Sequence, residues 1–184
     1  MTKRTIATLG LCLLLAGCGG SQGGDQAAGS DGKVAAAASG WDATDACARL
    51  DKAAVGAALG DTVTETSLAF VHQSMGSDAS TSECTYQLAG GGKATLMTRS
   101  SPIADNTPEV MAMTKKTTAQ AMAAFSSKPI EDVPGLGISA FFVPGINQMN
   151  VFLDDRRFVV LTIDGAPADK AKQIAADLVR KVAG

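Results

Sequence analysis

Six short segments with the patterning of β-strands, joined by short connections, limit most strongly how this chain can fold. Short connections favour antiparallel pairs, because a parallel pair needs a crossover of a dozen residues or more. The segment after Ser82 alternates most regularly, with Cys84, Tyr86 and Leu88 on one face, and the glycines that follow it supply a hairpin turn. The six segments are residues 62–72, 83–88, 94–98, 139–143, 146–153 and 156–163.

Three segments with helical patterning separate these strands. The first begins at Asp42 or Thr44, either of which can cap a helix, and ends at Gly60. The second begins at Thr107, which proline follows, and runs to about residue 126. The third begins near Pro167 and continues to the end of the chain. The order αβββαβββα predicts an α+β fold, with a single curved antiparallel sheet of about six strands and the helices on one face.

The first residues have the pattern of a secretory signal peptide. Lys3 and Arg4 precede an apolar run, residues 6–16, that is well short of the ~20 residues needed to span a bilayer. The run closes on Leu15, Ala16, Gly17 and Cys18, which resemble the lipobox of bacterial lipoproteins. That resemblance implies cleavage before Cys18 and attachment of diacylglyceryl and palmitate chains to this cysteine.

The lipobox divides the chain into three parts. Residues 1–17 form the cleaved signal peptide, residues 18–40 the lipidated cysteine and a flexible tether of small polar residues, and residues 41–184 a single globular α+β domain. We expect the lipid to hold the protein on a bacterial cell membrane, with the domain outside the cytoplasm, as in a periplasm. Gly19 stands where an aspartate would imply inner-membrane retention, so an outer-membrane location is expected where the cell has one.

The charge of the chain argues against a nucleic-acid partner. The formal charge is −2, and loss of Lys3 and Arg4 with the signal peptide lowers it to −4. Domains that bind nucleic acids need a basic surface instead. The expected partners are the membrane, through the lipid, and an unidentified envelope protein or small ligand.

The two cysteines of the predicted domain, Cys47 and Cys84, predict a disulfide. Of the four cysteines in the chain, Cys12 leaves with the signal peptide and Cys18 carries lipid. Export places the domain in an oxidising compartment, where a lone pair of cysteines is more often bridged than reactive. Both residues lie on apolar faces directed at the same core, and no neighbouring sequence element marks an activated thiol.

Four short motifs follow one another in the domain: Cys-x-x-Leu at 47–50, Leu-Gly at 59–60, Cys-x-Tyr at 84–86 and Val-x-Gly-Leu-Gly at 133–137. They resemble a pattern that recurs, in this order, in a family of small secreted bacterial lipoproteins of unknown function. The resemblance covers residue 47 to about residue 182 and implies no catalytic residues. Ile138 departs from the acidic residue that we expect after the last glycine of the pattern.

His72 is the only histidine and therefore the only residue that could act as the base of a Ser/His/Asp triad. Proximity in sequence to Ser74 does not make that serine its nucleophile, and we expect a strand-end histidine without a catalytic role. A second motif, Ser-x-x-Lys at Ser30 and Lys33, matches serine acyl-enzymes, but it lies in the tether, where no oxyanion hole can be preorganised.

Cofactor and metal sites are not expected. The spacing of Gly135, Gly137 and Ala140 matches the dinucleotide fingerprint, but a helix precedes it and a strand follows it, the reverse of what that fingerprint requires. Met111 and Met122 share a helix face, and we expect them to fill gaps in an aromatic-poor core rather than bind a soft metal. One histidine and two cysteines do not suit zinc. The run of two aspartates and two arginines at residues 154–157 predicts a solvated turn.

These observations predict a membrane-anchored envelope lipoprotein whose domain binds a small ligand or another envelope protein and is not an enzyme. No catalytic, cofactor-binding or metal-binding residue is predicted, and no cofactor. The predicted site residues are Cys18 for lipidation and Cys47 with Cys84 for the disulfide. The alternative is an envelope hydrolase that uses His72.

Overall fold

The computed structural model describes residues 41–183, so the predicted signal peptide, the lipidation site Cys18 and the tether lie outside the described residues. The elements, in chain order, are α1 (Ala46–Arg49), α2 (Lys52–Leu59), β1 (Val63–His72), β2 (Ser80–Leu88), β3 (Lys93–Ser100), α3 (Pro108–Met122), β4 (Glu131–Asp132), β5 (Ser139–Val143), β6 (Gln148–Phe152), β7 (Arg157–Ile163) and α4 (Ala171–Ala183). The predicted α+β class is confirmed.

The strands form one antiparallel sheet with the order β1-β2-β3-β7-β6-β5-β4. Two meanders, β1 to β3 and β4 to β7, meet where β3 pairs with β7, and Leu96 lies opposite Leu161 there. The prediction of six strands was wrong by one, because β4 has only two residues, too few to show any alternation in the sequence. It pairs with β5 through Glu131 and Asp132.

The first predicted helix is two helices. Asp45 caps α1, rather than Asp42 or Thr44, and Asp51 caps α2 by accepting a backbone N–H of its first turn. Between them, the chain is extended at Leu50, whose carbonyl accepts a 2.7 Å hydrogen bond from the buried Tyr86 hydroxyl. This long-range bond takes the carbonyl that a continuous helix would use, so the order begins with two helices instead of one.

One face of the sheet carries the main core. Helices α1, α2 and α4 cover it. Tyr86 and Leu96 from the strands pack there with Val55 and Leu178 from the helices and with Leu50 between α1 and α2. Alternate residues of β2 face this core, while those between them remain partly exposed. The small side chains of α4 that are buried let the helix lie close to β6 and β7.

Helix α3 lies on the opposite face, so the prediction that all helices share one face was wrong. Its Met111 and Met122 pack against a second cluster formed by Phe141, Val143 and Phe152. Four consecutive residues of β5 are buried, as are four of β6, because each of these strands is covered on both faces. In β5 this two-sided burial gives a continuous apolar run, and such a run does not show from sequence which helix covers which side.

Candidate functional site

The predicted disulfide between Cys47 and Cys84 is confirmed. The sulfur atoms are bonded at 2.01 Å and the Cα atoms are 4.9 Å apart. The bridge joins α1 to β2, and Cys84 is fully buried in the main core. These two cysteines therefore hold a helix to the sheet, and neither has a free thiol.

Hydrogen bonds from hydroxyl groups close to the disulfide also hold the start of α1 to the sheet. Ser82 and Thr98, both buried on β2 and β3, donate to the carbonyl oxygen of Ala43 at 2.7 and 3.0 Å. The backbone N–H of Ala46 in turn donates to the Ser82 hydroxyl at 2.8 Å. Because the serine oxygen both donates and accepts within the core, it has a structural role and is not available as a nucleophile.

His72 lies at the end of β1 and bonds to a carboxylate. Its Nε2 is 2.5 Å from Oδ2 of Asp78, and the two side chains are about half exposed. The hydrogen bond from His72, together with the N–H of Met75, holds the pKa of the Asp78 carboxyl below its usual value. The hydroxyl of Ser74 lies 3.4 Å from the other oxygen of the same carboxylate. Serine and histidine thus share the aspartate, whereas a triad places the histidine between the other two.

The turn before β7 is less solvated than predicted. Asp154 accepts N–H groups of Arg156 and Arg157 at 2.9 and 2.7 Å, and its Oδ2 is 2.6 Å from Nε of Arg157. Burial raises the pKa of the Asp154 carboxyl, but these donors outweigh that effect and hold it below its usual value. The Arg157 guanidinium also lies 5.0 Å from the centre of the Trp41 ring, where a cation–π contact forms. This cluster fixes the start of the domain against β7.

The two glycines of the Val-x-Gly-Leu-Gly motif lie in a tight turn. Gly135 and Gly137 have φ values of 76° and 62°, which favour glycine. A Cβ on Gly137 would lie 2.2 Å from the carbonyl oxygen of Phe152, so the chain can approach β6 only where no side chain is present. The φ values and this close approach give both glycines a structural role in the turn.

The methionines of α3 divide between core and surface. Met111 and Met122 pack in the second cluster, as the helical spacing predicted. Met113 is exposed beside Val110, and together with threonines 114, 117 and 118 it lines a shallow cleft of about 350 Å³. The cleft contains no ionisable side chain, so it offers no acid or base.

The most distinctive surface of the described domain is the edge formed by β1. Leu68, Phe70, Val71 and, just beyond the strand, Met75 are 44%, 78%, 54% and 88% exposed. Since β1 is the end strand of the sheet, its outer backbone groups have no neighbouring strand among residues 41–183. Val63–His72 contains neither lysine nor arginine, the side chains that most often protect such an edge from pairing.

A bulge turns the aromatic residue of this edge outward. Ala69 lies opposite Glu83 and His72 opposite Thr81, so that two residues of β1, Phe70 and Val71, share one partner position on β2. Phe70 has a φ of 50°, a left-handed conformation that is costly for an aromatic residue. The buried, hydrogen-bonded Ser82 at that position of β2 fixes the neighbouring strand, and the edge strand accommodates the extra residue.

Sequence reasoning identified this strand but not its position at the edge or its exposed apolar side chains. The available signal was the adjacency of Phe70 and Val71, which interrupts alternation between apolar and polar residues. The edge position depends on strand order, which no local pattern encodes.

Within residues 41–183, no group of three or more histidine, cysteine, aspartate or glutamate side chains is placed to hold a metal ion. None of the helices in this range has the length and apolar character needed to cross a membrane. Comparisons of the chain with protein-family models, with curated proteins and with solved structures gave no match.

Proposed function

We propose that this chain is a lipid-anchored envelope lipoprotein whose folded domain is a protein-binding module and not an enzyme. The observation that carries the binding role is the exposed β1 edge, which has apolar side chains and, within residues 41–183, no strand on its outer side. Extended edges of this kind bind other strands by main-chain hydrogen bonds, and neighbouring apolar side chains add selectivity. The resemblance to small bacterial lipoproteins is part of this proposal.

The anchor part of the proposal rests on the residues that end at Cys18. Two or more acyl chains on one cysteine, at ~0.8 kcal/mol per buried methylene, hold a protein stably on a bilayer without a membrane-spanning helix. The Cys47–Cys84 disulfide supports export, because such bonds persist in oxidising compartments and are rare in the cytosol. The proposed location is a bacterial cell membrane, the outer one where the cell has two, with the domain outside the cytoplasm.

A cysteine substitution tests the anchor. In a bacterial host that processes lipoproteins, Cys18→Ala should abolish acyl attachment and release the protein from the membrane fraction. Cys12→Ala is the matched control, because that cysteine lies in the cleaved segment and its loss should leave acylation unchanged. Intact-mass measurement of the wild-type protein that shows a mature N-terminus without acyl chains would refute the anchor.

A photo-crosslinking residue at position 70 tests the binding role. Phe70 and Phe125 are both strongly exposed aromatic residues, the first on β1 and the second after α3, which makes position 125 a matched control. In intact cells, irradiation should give a discrete protein adduct from position 70 and none from position 125. Equal labelling from the two positions, or none from either, would overturn the binding role of the β1 edge.

The alternative function is an envelope hydrolase, and the hydrogen bond between His72 and Asp78 is the observation that favours it. An imidazole paired with a carboxylate is half of a catalytic triad. The serine nearest to this pair contacts the carboxylate rather than the imidazole, which favours the binding role.

A further inference from the structure

We propose that the protein bound at the β1 edge is a second copy of this chain, joined through antiparallel pairing of the two β1 strands. This inference rests on the proposed binding role and names the partner. In the proposed dimer, a two-fold axis perpendicular to the sheet passes through Leu68. The two seven-stranded sheets then form one continuous sheet.

The two ends of the sheet differ in a way that favours pairing through β1. The far end is β4, a strand of two residues, which offers almost no backbone to a partner. The β1 end has ten residues, exposed on both faces along most of their length. Short edge strands protect natural sheets from edge-to-edge association, and among residues 41–183 the sheet has that protection at only one end.

Symmetry restricts how two β1 strands can pair. A two-fold axis perpendicular to the sheet keeps each residue on the same face, so residues that lie opposite each other must come from the same face of β1. Leu68 pairs with Cys84 and therefore faces the side of the main core, while Glu65 and His72 pair with Gln87 and Thr81 on the other side. If the bulged pair is counted as one position, as it is opposite β2, an axis at Leu68 places Glu65 opposite His72.

In this arrangement the carboxylate of Glu65 faces the imidazole of His72, whose Nε2 is bonded to Asp78, and does not face a second glutamate. Glu65 and His72 are the only residues with ionisable side chains in Val63–His72. Glu65 of one copy lies opposite His72 of the other, and the two-fold symmetry gives two such pairs. Like charges at directly facing positions of antiparallel strands destabilise the pair. Glu65 facing Glu65 is avoided, since that residue lies away from the axis.

The apolar residues add buried area on both sides of the axis. Phe70 is 78% exposed, and since a phenylalanine buries about 150–250 Å², two copies contribute roughly 250–400 Å². Leu68 meets its own symmetry mate at the axis, and Val71 lies beside Phe70. Specific interfaces bury at least about 1,200 Å² in total, so the side chains of Phe70 supply only part of the area that a stable dimer needs. Such a dimer dissociates on dilution, and attachment of both copies to one membrane favours it by raising their effective concentration.

Cysteine pairs test this register in the full chain, expressed in cells. Two variants, Glu65→Cys and His72→Cys, are placed on separately tagged copies and treated with a short bismaleimide. The proposed register predicts a covalent dimer when the two variants are co-expressed, at least five-fold more abundant than with either variant alone. Both positions face away from the native disulfide, which avoids exchange with it. A control copy carrying Phe125→Cys should give no dimer with either.

A second change separates pairing from chance collision. Phe70→Lys places a charge in the paired edge and should lower the yield of the mixed dimer at least five-fold, while Phe125→Lys should leave it unchanged. The inference is overturned if the mixed pair crosslinks no better than the single variants. If the adduct from position 70 then contains a different protein, the binding role survives without the homodimer, and if no adduct forms, both proposals fail.

Discussion

Removal of the Cys47–Cys84 disulfide should destabilise the domain by an amount that follows from its place in the chain. The bond closes a loop between residues separated by 37 positions in sequence. A disulfide of this kind acts mainly by restricting the unfolded chain. The double variant Cys47→Ala/Cys84→Ala removes the bond without leaving a free thiol in the core.

The chain-entropy relation gives the magnitude. For a loop of about 37 residues the lost entropy of the unfolded chain is about 13 cal/mol/K, which corresponds to about 3.8 kcal/mol at 25 °C. A domain of this size loses roughly 2–4 °C of melting temperature per kcal/mol, so the expected decrease is about 12 °C. Native stabilities are commonly only 5–15 kcal/mol, and the bond therefore supplies a large fraction of the total.

Urea unfolding of the purified chain, with and without a phosphine reductant, measures this loss. The wild-type protein should lose about 3.8 kcal/mol when reduced, and the double variant should show the same lowered stability in both conditions. The urea m-value should also rise without the bond, because the unlinked chain exposes more surface on unfolding. A loss below about 1 kcal/mol with an unchanged m-value would refute the assignment of this stability to the unfolded state.

Three further changes probe single features. Tyr86→Phe leaves a buried carbonyl unpaired and should cost about 1–3 kcal/mol by urea unfolding. Burial also raises the pKa of Tyr86 from 10.0, so wild-type stability should fall as pH rises above that value, where only the unfolded chain ionises, and the variant should lack this slope. His72→Ala should leave the melting temperature unchanged, and a hydrolytic activity lost with the fold intact would favour the enzyme. Gly137→Ala should cost at least about 2 kcal/mol, because its Cβ would meet the Phe152 carbonyl, whereas Gly135→Ala, with open space around it, should cost less in the same assay.

Local chemistry made several elements predictable. Thr107 caps α3 by accepting the N–H of Val110, with proline at the next position as the sequence indicated. Gly60 ends α2 with a φ of 69°, a conformation that glycine adopts without strain. The disulfide followed from the number of cysteines and from the faces on which they lie. Each of these depends on a few neighbouring residues or on a chemical count.

The larger failures involve contacts between residues far apart in the chain. The helix breaks at Leu50 because Tyr86, 36 positions away, donates to its carbonyl. The position of α3 depends on the apolar residues of β5 and β6, which are buried on both sides and give no information about which helix covers which face. The position of β1 at the edge of the sheet depends on the strand order. The sequence of β1 alone is equally consistent with a central strand.

The position of the disulfide also decides how the domain would respond to mechanical tension. A pull applied to the chain at Trp41 reaches Cys47 and passes through the covalent bond directly to Cys84 in β2. The intervening loop, which contains α2 and all of β1, carries no load. To extend further, the force must shear β2 from two neighbours at once, β1 and β3. Resistance to such a pull is set by the rate of unfolding, and the β1 edge keeps its shape until β2 gives way.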